Sequence, residues 1–88
     1  MKTIAIIEDD QPIGDLLEEA LGQAGYATLR AYSGTEAQYL LERAKPDLIL
    51  LDLMLPGIDG YQVCREIRHV SDVPIIMLLS LIHISEPT

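Results

Sequence analysis

Eighty-eight residues with 6 Lys and Arg against 14 Asp and Glu, a formal charge of -8, argue against a nucleic-acid-binding face, which needs clustered cations. The length sets one small domain at most, able to bury only about 60–65 % of the surface its unfolded chain exposes. A single cysteine, Cys64, rules out an internal disulfide, and no stretch reaches the roughly 18 apolar residues of a bilayer span. The opening "MKTIAIIEDD" runs from a short apolar stretch into three acids and is no secretory signal, so a soluble cytoplasmic protein is expected, with no membrane partner.

The run "TIAII" (3–7) is apolar and rich in β-branched residues, which suits a strand covered on both faces. Ile13, Leu16, Leu17, Ala20, Leu21 and Ala24 then recur at the spacing of one helical face. Asp10 is placed to cap this helix, Pro12 is tolerated in its first turn, and Gly25 suits the left-handed stop. In "YATLRAY" (26–32) Ala27, Leu29 and Ala31 alternate with Thr28 and Arg30, which predicts a strand with one wet side. "SGTE" (33–36) is a capping box opening a second helix that turns Ala37, Leu40, Leu41 and Ala44 inward and ends at Lys45-Pro46.

"LILLDL" (48–53) predicts a second fully covered strand, and "PGIDG" (56–60) is turn chemistry. Asp59, with Gln62 three residues on, is placed to cap a third helix that buries Val63, Cys64 and Ile67. A connection over 70–73 leads to a last strand, "PIIMLL" (74–79), entered through Pro74. Strand and helix alternate throughout, the pattern of a three-layer α/β fold with a doubly wound parallel sheet. The apolar strands 3–7 and 48–53 belong in the middle and the half-polar strand at an edge, giving the order 2-1-3-4.

In such sheets ligands bind at the carboxyl ends of the strands, where the winding direction switches. The first strand ends in Glu8 and Asp9, and the third ends at Asp52. Three close carboxylates raise one another's pKa unless a cation neutralises them. Oxygen-only donors with room for water suit a hard cation, most naturally Mg²⁺. Cys64, His69 and His83 lack the spacing of zinc ligands. The same acids have plainer uses: "EDD" before a helix complements its dipole, and Asp52 could serve a turn. Asp15, Glu18 and Glu19 read as solvated helix charges, and His69 as a partner of a helix end.

"IIEDD", "LILLDLMLPGIDGYQVCREIR" and "VPIIML" together resemble the receiver domain of two-component response regulators, over residues 2–78. The resemblance is closest to receivers that precede winged-helix DNA-binding domains. It implies a flavodoxin-like sheet and a phosphoacceptor, Asp52, which takes a phosphoryl group from a histidine kinase. It also implies Mg²⁺ held by Asp9, Asp52, the main-chain carbonyl of Met54 and, mostly through water, Glu8. Such a domain is no enzyme beyond catalysing its own phosphorylation and dephosphorylation. Its expected partners are a sensor histidine kinase, a second receiver in a homodimer, and DNA through a C-terminal domain. A receiver-like interaction domain that is never phosphorylated is the alternative. A haloacid-dehalogenase phosphatase would need an Asp where Met54 stands, and a nucleotide-binding turn would need glycines where "EDDQPIG" stands.

The resemblance stops after Leu78. Leu79 occupies the place of the family's hydroxyl residue, and its fifth strand, phosphate-pairing lysine and flanking helices are missing. The tail "LSLIHISEPT" (79–88) resembles the translation of a transposon-end sequencing adapter, so the expected organisation is a partial receiver, 1–78, with a non-native tail. The codons of residues 79–88 decide this, since synonymous codons unrelated to the adapter would overturn it.

Overall fold

The computed structural model describes residues 1–52 and 60–78. The expectations on Met54, the Pro-Gly turn, the Asp59 cap, Leu79 and the tail fall outside them. Seven elements follow one another: β1 (Thr3–Ile7), α1 (Gln11–Gln23), β2 (Ala27–Ala31), α2 (Gly34–Arg43), β3 (Leu48–Asp52), α3 (Gly60–Val70) and β4 (Ile75–Leu78). All strand pairs are parallel, in the order β2-β1-β3-β4. The predicted fold class and strand order are therefore observed, each strand within a residue or two of its expected bounds.

Local chemistry explains the boundaries. Asp10 caps α1, its Oδ1 accepting from the Ile13 N–H at 3.0 Å, with Pro12 in the first turn. Gly25, at φ 97, takes the left-handed conformation that lets the chain leave α1 and enter β2. The capping box at α2 forms with a shifted partner. The Ser33 hydroxyl accepts from the Glu36 N–H at 3.2 Å, but the Glu36 carboxylate reaches back to the Tyr32 N–H at 2.8 Å. α3 runs on through Val70, so the link to β4 is 71–74, one residue later than expected.

One face of the sheet carries the main core. Ala5, Ile7, Ala31, Ile49 and Leu51 pack with Ala37 of α2 and with Val63 and Ile67 of α3, and Cys64 is partly buried beside them. The other face is covered by α1 over β1 and β2, and here two expectations change. Leu16 is 61 % exposed, and Ala20 and Ala24 are exposed as well, because α1 lies over only part of the sheet and its apolar stripe overhangs the rest. For the same reason β3 is fully covered on one side only: Ile49 and Leu51 are buried, while Leu48 and Leu50 are half-buried.

The supposedly wet side of β2 is not wet. Arg30 lies under α1 with its side chain 10 % exposed. Its Nη1 donates to Asp15 Oδ1 at 2.9 Å and to Glu18 Oε1 at 3.1 Å, and Glu18 Oε2 accepts from the Thr28 hydroxyl at 3.0 Å. Asp15 and Glu18 are thus partners of a covered guanidinium rather than free helix charges. Burial works against the charge on Arg30, but the two carboxylates outweigh it and raise its pKa above the ordinary value.

Candidate functional site

The site forms where β1 and β3 leave the sheet side by side. Ile7 pairs with Leu51, so the next residues, Glu8 and Asp52, emerge together at the switch between the two winding directions. The Glu8 N–H donates to the Ala31 carbonyl at 3.0 Å, which ties the end of β1 to the end of β2. Its Oε2 accepts from the Asp10 N–H at 3.1 Å, so the carboxylate is oriented by the residue that caps α1.

Glu8, Asp9 and Asp52 each bring a carboxylate oxygen to within 4.8 Å of the others. Three of the four predicted site residues therefore meet; the fourth, Met54, is outside the described residues. Asp9 is exposed, whereas Glu8 and Asp52 are 4 % and 3 % exposed. Asp52 stands at the strand end, as expected, and is buried there against Glu8.

That burial has an electrostatic consequence. Desolvation is the largest cause that pushes the Glu8 carboxyl from 4.5 up to about 7. A hydrogen bond with Asp52 and the charges of Asp52 and Asp9 add to it, and the Asp10 N–H opposes it. The two buried carboxyl groups are hydrogen-bonded to each other. A hard cation at the same place would neutralise the charge that the cluster concentrates. The donor set fits Mg²⁺ on chemistry: oxygen atoms only, two of them sheltered, one group open to water. Cys64 and His69 are not among the residues of this cluster.

Arg30 is the residue that sequence reasoning missed, having placed it on a solvated face. A signal existed in principle: Asp15 and Glu18 lie on one side of α1, the pair a covered cation needs.

The family model of the response regulator receiver domain matches residues 4–86, a span that continues past Leu78. Among solved structures, the BeF3-activated N-terminal receiver domain of Klebsiella pneumoniae RstA is 40 % identical over 91 % of this chain and 68 % of its own, with a TM-score of 0.84. A two-component response regulator from Clostridium difficile is 32 % identical over 88 % of this chain and 64 % of its own, with a TM-score of 0.85. The receiver domain of a signal transduction histidine kinase from Syntrophus aciditrophicus is 34 % identical over 89 % and 61 %, with a TM-score of 0.82. The chain spans between about half and two thirds of the length of the chains it matches. With a parallel sheet in the order 2-1-3-4 and an acidic cluster at its switch point, the chain belongs to the response regulator receiver domains of two-component systems.

Proposed function

We propose that this receiver is a phosphoacceptor, with Asp52 taking a phosphoryl group from a histidine kinase in the presence of Mg²⁺. The observation that carries the reading is the meeting of Glu8, Asp9 and Asp52 at the end of β3. A carboxylate oxygen of Asp52 would attack the phosphorus of a phosphohistidine, and the N–P bond would break as the ring nitrogen leaves with its electron pair. Glu8 bears on this step directly. Its carboxyl is hydrogen-bonded to Asp52, so it stands directly beside the attacking group. Glu8, Asp9, Asp52 and the Met54 carbonyl would hold Mg²⁺, which when bound neutralises charge on the transferring phosphoryl oxygens.

The family supports a kinase partner, and the activation of the RstA receiver by BeF3 supports an acceptor that takes phosphoryl-like groups. A winged-helix output domain, regulated transcription through DNA, homodimerisation and a cytoplasmic site of action belong to the same proposal. So does its status as a self-modifying switch rather than an enzyme acting on others. No helix among the described residues is long and apolar enough to cross a membrane.

The test is acetyl phosphate with Mg²⁺, read by intact and peptide mass spectrometry in a version carrying the family's full receiver length. One hydroxylamine-sensitive phosphoryl group on Asp52, lost in Asp52→Asn, is expected. A group on Ser33, Thr35 or Ser71 instead, or none at all, would favour an interaction domain that is never phosphorylated.

A further inference from the structure

Arg30 occupies a place that ordinary packing does not explain. Its Nε and Nη2 are buried and find no hydrogen-bond partner among the described residues, an arrangement that costs stability. The guanidinium lies 4.9 Å from the centroid of the Tyr32 ring and against Gly14, where a Cβ would collide with it. What it gains in return is a grip on the first turns of α1, through Asp15 and Glu18. That grip matters because the apolar anchorage of α1 is partial: Gly14 is its one buried residue, Ile13, Leu17 and Leu21 are half-buried, and Leu16, Ala20 and Ala24 face out.

The held segment leads to the acidic cluster by an unbroken chain of contacts. The Gly14 N–H donates to the Asp10 carbonyl at 2.9 Å, and the Asp10 carboxylate caps Ile13. The Asp10 N–H then orients Glu8 Oε2. On the strand side, Arg30 precedes Ala31, whose carbonyl accepts from the Glu8 N–H. Two of the attachments of Glu8 therefore lead to the two elements that Arg30 joins, and the third is its hydrogen bond with Asp52.

We propose that Arg30 is a positioning residue, which clamps α1 to β2 and thereby fixes the Glu8 carboxylate in its place beside Asp9 and Asp52. The inference rests on reading those three acids as one cation site, and it adds a requirement outside them. Partners that orient metal ligands from behind typically change metal affinity by about tenfold when removed. Arg30→Met keeps the apolar stem and removes the clamp; Arg30→Lys keeps a cation for Asp15 and Glu18.

The experiment measures Mg²⁺ affinity by calorimetry and hydrogen exchange of the Asp10 and Ile13 amides, both well below the melting temperature. Arg30→Met should weaken Mg²⁺ by about tenfold and speed exchange at both amides, with Arg30→Lys recovering part of each. A lower melting temperature with parental affinity and parental exchange would reduce Arg30 to a fold-stabilising residue and overturn the proposal. Should Arg30→Met fail to fold, Arg30→Gln, which also removes the cation, takes its place, parental values in both measurements again overturning the proposal. A parent chain that binds no Mg²⁺ would refute the cation reading itself. In that case parental exchange at Asp10 and Ile13 in Arg30→Met would separately refute the clamp.

Discussion

At the scale of single residues, Glu8 links protonation to stability. Its carboxyl titrates near 7 in the fold and near 4.5 when unfolded. Below 4.5 both states hold the proton and Glu8 imposes no penalty. Between the two values the unfolded chain has lost the proton and the folded chain keeps it, so stability falls as pH rises through this window. The loss is on the order of 3 kcal/mol and levels off above pH 7, where both states are ionised. Urea unfolding of the metal-free parent and of Glu8→Gln, at about pH 5 and about pH 8, should show a gap that moves in favour of the variant as pH rises. A gap independent of pH would mean that Glu8 titrates normally. The acids of this site were legible because an acid ending an apolar run is conspicuous, and two such runs must be neighbours at a switch point. Arg30 was not legible, because an arginine in an alternating strand has the same pattern whether water or a helix lies over it. Its burial is decided by Gly14 and by acids on another element, a tertiary fact.

At the scale of elements, α1 was correctly placed by its spacing, its cap and its glycine stop, while its depth was misjudged. Periodicity shows which residues share a face, and it does not show how much sheet lies under that face. Ile13, Leu17 and Leu21 are half-buried, and the rest of the stripe looks outward. Two glycines of this helix separate propensity from contact. Nothing lies within 4 Å of a Cβ built on Gly22, so Gly22→Ala should stabilise the domain by about 0.5–1 kcal/mol. Gly14→Ala should fail to show that gain, since its methyl must displace the Arg30 guanidinium from its ion pairs. Equal gains in thermal melts would show that the guanidinium moves aside freely.

At the scale of the whole molecule, the described residues cover one face of the sheet well and the other only in part. Beside α1 an apolar groove of about 530 Å³ runs past Ile4, Leu21, Leu48, Leu50 and Ile76. Ile76 and Met77 on β4 are 48 % and 39 % exposed. An uncharged edge strand with exposed apolar side chains pairs readily with other chains. The stability of a small domain, about 5–15 kcal/mol at best, leaves little margin against that. The chain by itself is therefore expected to self-associate, and Ile76→Lys to reduce this in sedimentation velocity without altering the acidic cluster. A parent that stays monomeric at high concentration with a sharp melt would contradict this. The strand order was only partly legible from composition: the apolar β1 and β3 are central, but β4 is as apolar as either and lies at the edge. The partly covered face was not legible, because it depends on how far one helix reaches.

The central place of β1 also imposes a sequence of events in time. Thr3 can find Ala27 as soon as one helix has formed, but Ile4 waits for Leu48, much later in the chain. Pairings between such distant segments make parallel sheets slow to assemble, because the chain must close a long loop before any contact rewards it. Glu8 and Asp52 meet only when β1 and β3 pair. Until that closure the acids stay apart, and their mutual repulsion arises with it. A cation that relieves it acts on the finished sheet and not on the nascent chain, so it lengthens the lifetime of the native state more than it hastens arrival there.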